Sequence, residues 1–248
     1  MMAGVVLAGR RNNGKLAAVA PGCAWEALVP IEGRPMAGYV IAALRALPEM
    51  GRVVVAGPEA LGSDGVVTVE PGAGVTGSLQ AALAALEDDA SDEVLIATGD
   101  APLLSAVALG DLVRLSRQRG LSFGYPIVGR PVCEQQFPGV RRTYVRLRQG
   151  SFTGGNCFYL RREAAPGVQS LLERVYRDRK HPVRLAGLLG WGTVIAVALG
   201  LASVRDLERA GSRLLGVSAG AVVMADAGVG VDVDKPADLE LCRKVLGR

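Results

Sequence analysis

The sequence predicts an α/β fold of three layers, α/β/α, in which helices cover both faces of a mainly parallel, twisted sheet that carries an added β-hairpin arm. Three observations point there. Apolar runs with no polar alternation, the mark of strands buried on both faces, recur along the chain. Helical patterns, with apolar residues three and four positions apart, separate them. Glycine-rich or acidic loops follow the runs, as happens where an open α/β sheet offers its ligand site at the strands' carboxyl ends.

The first strand is read at residues 4–7, feeding the cationic loop Ala8-Gly9-Arg10-Arg11-Asn12-Asn13-Gly14-Lys15. A helix is expected over 36–47, strands over 53–56 and 66–69, a helix over 78–86, a strand over 94–97, a helix over 104–115 and a fifth strand over 121–128. Residues 141–148 alternate and reach Gln149-Gly150, which reads as the hairpin arm. Residues 151–156 link it to an apolar strand at 157–160. A helix over 162–177 follows, with Val168, Leu171, Leu172 and Val175 on one face. A strand at 219–225 and a helix at 236–246, with Asp234 as its N-cap, complete the pattern. Repeats and low-complexity tracts are absent, so the expectation is one domain over 1–248, with an acceptor-side segment or arm at about 130–215.

Composition narrows the chemistry. The chain has 248 residues, 50% of them hydrophobic and 21% charged, too apolar for a disordered protein. A single histidine, His181, excludes a two-histidine metal site, and a Ser-His-Asp arrangement would have to run through it. Cys23, Cys133, Cys157 and Cys242 are widely spaced, which suggests neither a zinc site nor a disulfide scaffold and fits a reduced, cytoplasmic compartment. A net charge of +4 suits phosphate ligands, while 4% aromatics leave little surface for stacking nucleic-acid bases, and no nucleic-acid partner is expected. Residues 185–204 lack any charge over a length that would cross a bilayer. Gly190-Trp191-Gly192 breaks the run, which reads as two short helices of the buried core meeting at a turn, with contact to a membrane surface or a partner as the less favoured alternative.

Three segments carry candidate chemistry. The loop from Gly9 to Lys15 combines backbone amides with three cations, Arg10, Arg11 and Lys15, as a triphosphate requires. It is not a Walker A loop, because Leu16 stands where Ser or Thr must follow the lysine. Gly99-Asp100 ends the apolar run 94–97, where a carboxylate is aimed at the crevice. In Asp232-Val233-Asp234 both carboxylates lie on one side of an extended segment and face a common cation, although Asp234 and Asp238 serve equally well as helix-start residues. Gly154-Gly155-Asn156 offers backbone and an amide to a second substrate or, as plainly, a bend entering a strand. Arg177, Arg179, Lys180, His181 and Arg184 either hold an acceptor phosphate or decorate a solvated helix end. Trp25, Trp191 and Phe152 are read as packing residues.

Taken together, Leu7-Ala8-Gly9, the stretch Ala27-Leu28-Val29-Pro30-Ile31-Glu32-Gly33-Arg34-Pro35-Met36, Gly99-Asp100-Ala101-Pro102-Leu103 and Asp232-Val233-Asp234-Lys235-Pro236-Ala237-Asp238-Leu239 resemble the nucleotidyltransferases of the GT-A, Rossmann-like fold. Among these the chain is most similar to the MobA-like NTP transferase domain. Arg142-Thr143-Tyr144-Val145 and Thr153-Gly154-Gly155-Asn156 resemble one subgroup of that domain. The resemblance implies that a phosphorylated small molecule attacks the α-phosphate of an NTP and releases pyrophosphate. It implies Mg2+ (or Mn2+) held by Asp100 and Asp232, with Asp234 as a weaker third, and Lys15, Asp100 and Asp232 as the catalytic set. Leu7, Ala8, Gly9, Arg10, Arg11, Gly14, Lys15 and Gly99 would cradle the nucleotide; Gly154, Gly155, Asn156, Arg179 and Lys180 would meet the acceptor. Two positions depart from the family's pattern: Arg10 replaces the second glycine of L-A-G-G, and Glu26 stands where a lysine precedes the A-L-x-P stretch. A glutamate there would repel a triphosphate unless Lys15 replaces the missing cation. Two alternatives follow: a GT-A glycosyltransferase using Asp232-Val233-Asp234 on a sugar nucleotide, and a nucleotide-binding protein without turnover.

Overall fold

The computed structural model describes residues 1–178 and 181–247. Strand β1 (Met2–Leu7) leads to a small hairpin, β2 (Pro30–Ile31) and β3 (Arg34–Pro35), then to α1 (Met36–Arg45), β4 (Met50–Ala56), β5 (Val66–Val69), α2 (Gly74–Ala84), β6 (Glu93–Thr98), α3 (Ala106–Gln118) and β7 (Phe123–Gly129). Then come α4 (Arg130–Gln136), β8 (Val145–Leu147), β9 (Gly150–Gly154), β10 (Cys157–Arg161), α5 (Ala165–Asp178), α6 (Pro182–Leu189), α7 (Trp191–Ala198), α8 (Val204–Leu215), β11 (Ala219–Met224) and α9 (Pro236–Leu246). The main sheet runs β5-β4-β1-β6-β10-β7-β9-β8, with β11 added to β7. β1 lies parallel to β4 and β6, β4 to β5, and β7 to β11. β10 is the exception in the middle, antiparallel to both β6 and β7.

The apolar runs behave as expected. Alternate residues of β1, β4 and β6 enter separate cores on the two faces, as the two-residue period of a strand requires. Val6, Val53, Val55 and Leu95 pack with Val40 and Leu44 of α1 and with Leu109 and Leu112 of α3. Val5, Val54, Val94 and Ile96 pack with Leu79 of α2, Val168 of α5 and Leu215 of α8. A third core, Leu16, Val29, Ile31, Met36, Val233, Leu239 and Cys242, joins the first loop to the C-terminal helix. The arm is the β8–β9 hairpin, which pairs Val145 with Phe152 and continues from β9 onto the far end of β7.

Several expectations need correction. Helix α2 starts at Gly74, ahead of the apolar stretch, and α3 starts only after Ser105, whose hydroxyl accepts from Ala108 N at 3.1 Å. Helices α4 and α8 correspond to no expected element, although Ser203 and Asp206 form a capping box that announces α8. Asp234 is not the cap of α9. Lys235 occupies that position, and the Asp238 carboxylate accepts from the amides of both Asp234 and Lys235. Residues 185–204 do form two short helices joined at Gly190, which has φ of 85°. The second of them, α7, is not core, however, because it buries none of its residues. Among the described residues no helix is long and apolar enough to cross a membrane.

Leu95 sits fully buried in the central strand β6. Leu95→Ala is expected to destabilise the chain by about 2–5 kcal/mol through lost transfer energy and the cavity left behind. A fall in the urea midpoint at unchanged slope would check this.

Candidate functional site

The site is built where β1 and β6 end side by side. Leu7 pairs with Thr98, and Gly99 N donates to Leu7 O at 2.9 Å, so the two following loops leave the sheet together. The backbone of Gly9 runs tight under the β5–α2 turn; a Cβ there would lie 2.4 Å from Pro71 Cβ. Only glycine lets the first loop pass at that depth. That turn leads into α2, whose first residues carry no side-chain cap at the same edge of the sheet.

The C-terminal segment closes the site from the other side. After β11, Asp226 accepts from Gly228 N at 2.7 Å and from the Ser105 hydroxyl at 2.9 Å, which turns the chain back toward the sheet. Asn156 N donates to Val229 O, and Thr98 N to Asn156 O, both at 2.9 Å. Val233, fully buried, then donates its N–H to Asp100 O at 2.9 Å. That bond fixes Asp232 and Asp234 on either side of the residue paired with Asp100.

The electrostatics follow from this convergence. Burial raises the Asp100 carboxyl above its ordinary range, and Asp234 adds to the rise, while the Thr98 hydroxyl and Arg10 oppose it. Asp100 Oδ1 is shut off from solvent with no hydrogen-bond partner. Asp232 is pushed up to about 6 by burial and by the charges of Asp100 and Asp234. Asp234 goes the other way, held down chiefly by the Arg10 guanidinium, with Lys15 contributing. Arg10 reaches Asp234 Oδ1 at 2.7 Å and Glu26 Oε2 at 3.1 Å. Glu26 itself is only 3% exposed; burial raises its pKa and Arg10 offsets the rise. Among the described residues no group of three or more His, Cys, Asp or Glu side chains forms a ready-made metal cluster.

The other residues singled out from sequence are distributed as follows. Ala8 is buried in the first core, and Lys15, exposed, opens a short 3-10 helix at Lys15–Ala18 that follows Gly14. The Arg11 guanidinium stacks over the Trp25 ring at 3.6 Å, so Trp25 orients a cation as well as packing. Gly155 is wedged between Val229 and Pro126, and Gly154 lies against the Tyr125 hydroxyl, so these two glycines serve close packing. Gly154 also lines, with Asn156, a cleft of about 290 Å³ that is lined as well by Thr153, Asp232, Asp234 and Lys235. Arg179 and Lys180 lie outside the described residues. The same cleft is lined by residues that sequence reasoning passed over as site residues: Arg141, Arg142 and Thr143, at the root of the arm. Arg142 donates to Gly230 O through one terminal nitrogen, and its buried Nε is left without a partner. The signal was an adjacent arginine pair opening the alternating segment, its second member inside the subgroup motif Arg142-Thr143-Tyr144-Val145.

Asp232 keeps its proton to about pH 6 when folded, against an ordinary value of 3.8. The folded chain therefore binds more protons across that window, and stability falls as pH rises through it. Asp232→Asn cannot ionise. Its Tm is expected to exceed that of the wild type at neutral pH, with the difference shrinking below about pH 6 and vanishing near pH 4, where both forms are uncharged. Thermal unfolding across pH measures this directly.

Comparison with known proteins matches this geometry to a family. The model of the MobA-like NTP transferase domain fits residues 4–186. A hypothetical transferase from Thermus thermophilus is 36% identical with a TM-score of 0.78, over 96% of this chain and 98% of that one. CMP:2-keto-3-deoxy-manno-octonic acid synthetase complexed with CTP superposes with a TM-score of 0.60 at 14% identity, over 100% and 99% of the two chains. 2-C-methyl-D-erythritol 4-phosphate cytidylyltransferase, also from Thermus thermophilus, gives 0.55 at 17% identity, over 100% of each. Among curated proteins none matches. The first loop, the Asp100 turn and the cleft's arginine pair all lie inside the matched span, and the chain belongs to the MobA-like NTP transferase domain family of nucleotidyltransferases.

Proposed function

We propose that this nucleotidyltransferase is Mg2+-dependent and moves an NMP group from an NTP to a phosphorylated small molecule, releasing pyrophosphate. The observation that carries the reading is the orphaned, buried Asp100 Oδ1 beside an Asp232 carboxyl that burial and like charge keep from ionising freely. Two such oxygens suit a hard divalent cation that takes its remaining ligands from phosphates and water, which is how Mg2+ is commonly held at nucleotide sites. Asp100 and Asp232 would hold it; Asp234, engaged by Arg10, is a weaker third. The ion would supply countercharge to the triphosphate and to the leaving pyrophosphate.

The rest falls to the chain itself. The loop from Ala8 to Lys15, with Leu7 and Gly99 at its base, offers amides and the Lys15 ammonium to the phosphates. Arg10 is drawn toward the carboxylates by Glu26 and Asp234, so its charge stays at the edge of the site. An acceptor phosphate in the 290 Å³ cleft would have Arg141, Arg142, Lys235 and Asn156 among its lining residues. One of its oxygens forms the new bond to the α-phosphorus as the bond from that phosphorus to the oxygen bridging to the β-phosphorus breaks. The nucleophile is already anionic, so no general base is required, and positioning with electrostatic stabilisation lowers the barrier. The Arg10–Glu26 pair also answers the observation behind the non-catalytic alternative, since Glu26 faces an arginine rather than the substrate.

A thermal-shift screen of ATP, GTP, CTP and UTP, each with and without Mg2+, tests the reading. CTP stands among them because two fold neighbours carry CTP or a cytidylyl transfer in their names. One triphosphate at about 100 times its dissociation constant should add about 2.7 kcal/mol, a rise of roughly 5–10 °C in Tm for a chain of this size, only with Mg2+. The rise should vanish in Asp100→Ala. Gly9→Ala, which forces Pro71 or the loop to move, should also lose it while remaining folded. A folded protein that ignores every triphosphate but shifts with a sugar nucleotide would overturn the proposal in favour of glycosyl transfer.

A further inference from the structure

The first loop folds back on itself as a short antiparallel ribbon. Glu26 N donates to Arg10 O at 3.1 Å and Asn12 N to Ala24 O at 3.0 Å, with Arg11 and Trp25 bridged between them. The Asn12 side-chain amide closes the far end, donating to Ala20 O at 2.9 Å and Cys23 O at 3.0 Å. Successive side chains leave extended backbone on opposite sides. Arg11 accordingly stacks on Trp25, while Arg10 meets Glu26.

The Arg10 guanidinium is held from two sides. Its Nε lies 3.1 Å from Glu26 Oε2, and its Nη1 donates to Asp234 Oδ1 at 2.7 Å. Carboxylates from near the two ends of the chain thus take two of its three nitrogens and fix the plane of the fork. The side chain is still 58% exposed, and among the described residues no group bonds Nη2. Glu26 is the more informative partner. It is buried, its Oε2 makes no well-aligned hydrogen bond, and a carboxylate so placed costs free energy that an apolar side chain would not. An ion pair whose cation stands in solvent returns little of that as stability. Such a pair suits aiming the cation. Asp234 is likewise spoken for. A divalent ion drawn to it would stand close to a guanidinium already bonded to its Oδ1, and the like charges repel. Asp100 Oδ1, by contrast, has no partner.

We propose that Glu26 and Asp234 are positioning residues for Arg10: together they fix its guanidinium as a donor to the nucleotide's phosphates, and Asp234 serves the arginine, not the metal ion. The ion then has two protein carboxylates, Asp100 and Asp232. The inference rests on the transfer reading above and gives Asp234, the weaker third ligand there, a different task. Lysine is no substitute for Arg10, because it carries its charge as a point on a flexible stem, with no planar fork to be fixed from two sides.

Two probes separate the roles: Mn2+ alone, followed by electron paramagnetic resonance, and inorganic tripolyphosphate with Mg2+, followed by calorimetry. Asp100→Asn and Asp232→Asn should each weaken Mn2+ binding about 30-fold or more, and Asp234→Asn less than about threefold. Tripolyphosphate should bind about tenfold more weakly to Arg10→Lys, Glu26→Gln and Asp234→Asn alike, the loss of one charge-assisted hydrogen bond. On an Arg10→Lys background the other two changes should add almost nothing, since the fork they position is gone. Circular dichroism checks that each variant is folded; Arg10→Lys and Asp234→Asn, at exposed side chains, carry the test if Glu26→Gln unfolds. Loss of Mn2+ by Asp234→Asn as complete as by Asp100→Asn would overturn the inference, and so would wild-type affinity of Arg10→Lys for tripolyphosphate. Either result leaves the transfer reading standing. A wild type that binds neither probe would instead remove that reading, and this inference with it.

Discussion

Like-charge repulsion among four carboxylates, restrained by one guanidinium, governs the functional edge of this molecule. Glu26, Asp100, Asp232 and Asp234 come from the first loop region, the end of β6 and the C-terminal segment, yet each feels the charge of others in the set. Burial, with their mutual repulsion added, raises the pKa values of Glu26, Asp100 and Asp232 and costs free energy. Arg10 bridges two of the four, and the Val233 amide ties the acidic segment to the Asp100 backbone. Groups perturbed in this way, with Asp232 and Asp234 lining a cleft, mark functional sites more often than structural ones.

The two departures from the family's pattern explain each other. Arginine in place of a glycine and glutamate in place of a lysine, taken separately, look like a blocked loop and a repelled substrate. In the fold they meet at 3.1 Å. The arginine of the first loop thus answers the glutamate before the A-L-x-P stretch, and the buried carboxylate holds it there. A sequence comparison made position by position reads two losses where the structure has one exchange.

Much of the fold was legible because its signals are local. Runs such as 53–55 and 94–97 are apolar without alternation because both faces of those strands are buried, and Gly190 stops a helix by its own backbone preference. What escaped were relations between distant residues. Nothing in 157–161 says that it enters the sheet antiparallel between β6 and β7, since a strand buried on both faces reads alike in either direction. Asp234 looked like a helix cap because capping is judged from neighbours, whereas its partner is Arg10, far away in sequence. The cleft's arginine pair escaped for the same reason: Arg141 and Arg142 become site residues only when the arm folds against Asp232. Residues 185–204 read as core because apolar composition alone does not say whether a neighbour will cover it.

The central placement of β10 also sets an order of events during synthesis. Until residue 157 has emerged, β6 has no neighbour on one side, and a sheet edge of Val94, Leu95, Ile96 and Ala97 stands open to whatever strand is near. The acid cluster arrives later still, with Asp232 and Asp234. Contacts of such long sequence separation form slowly, because a large loop must close before they yield any stabilisation. A partly made chain therefore passes through a stage at which its sheet edge is open and its site incomplete.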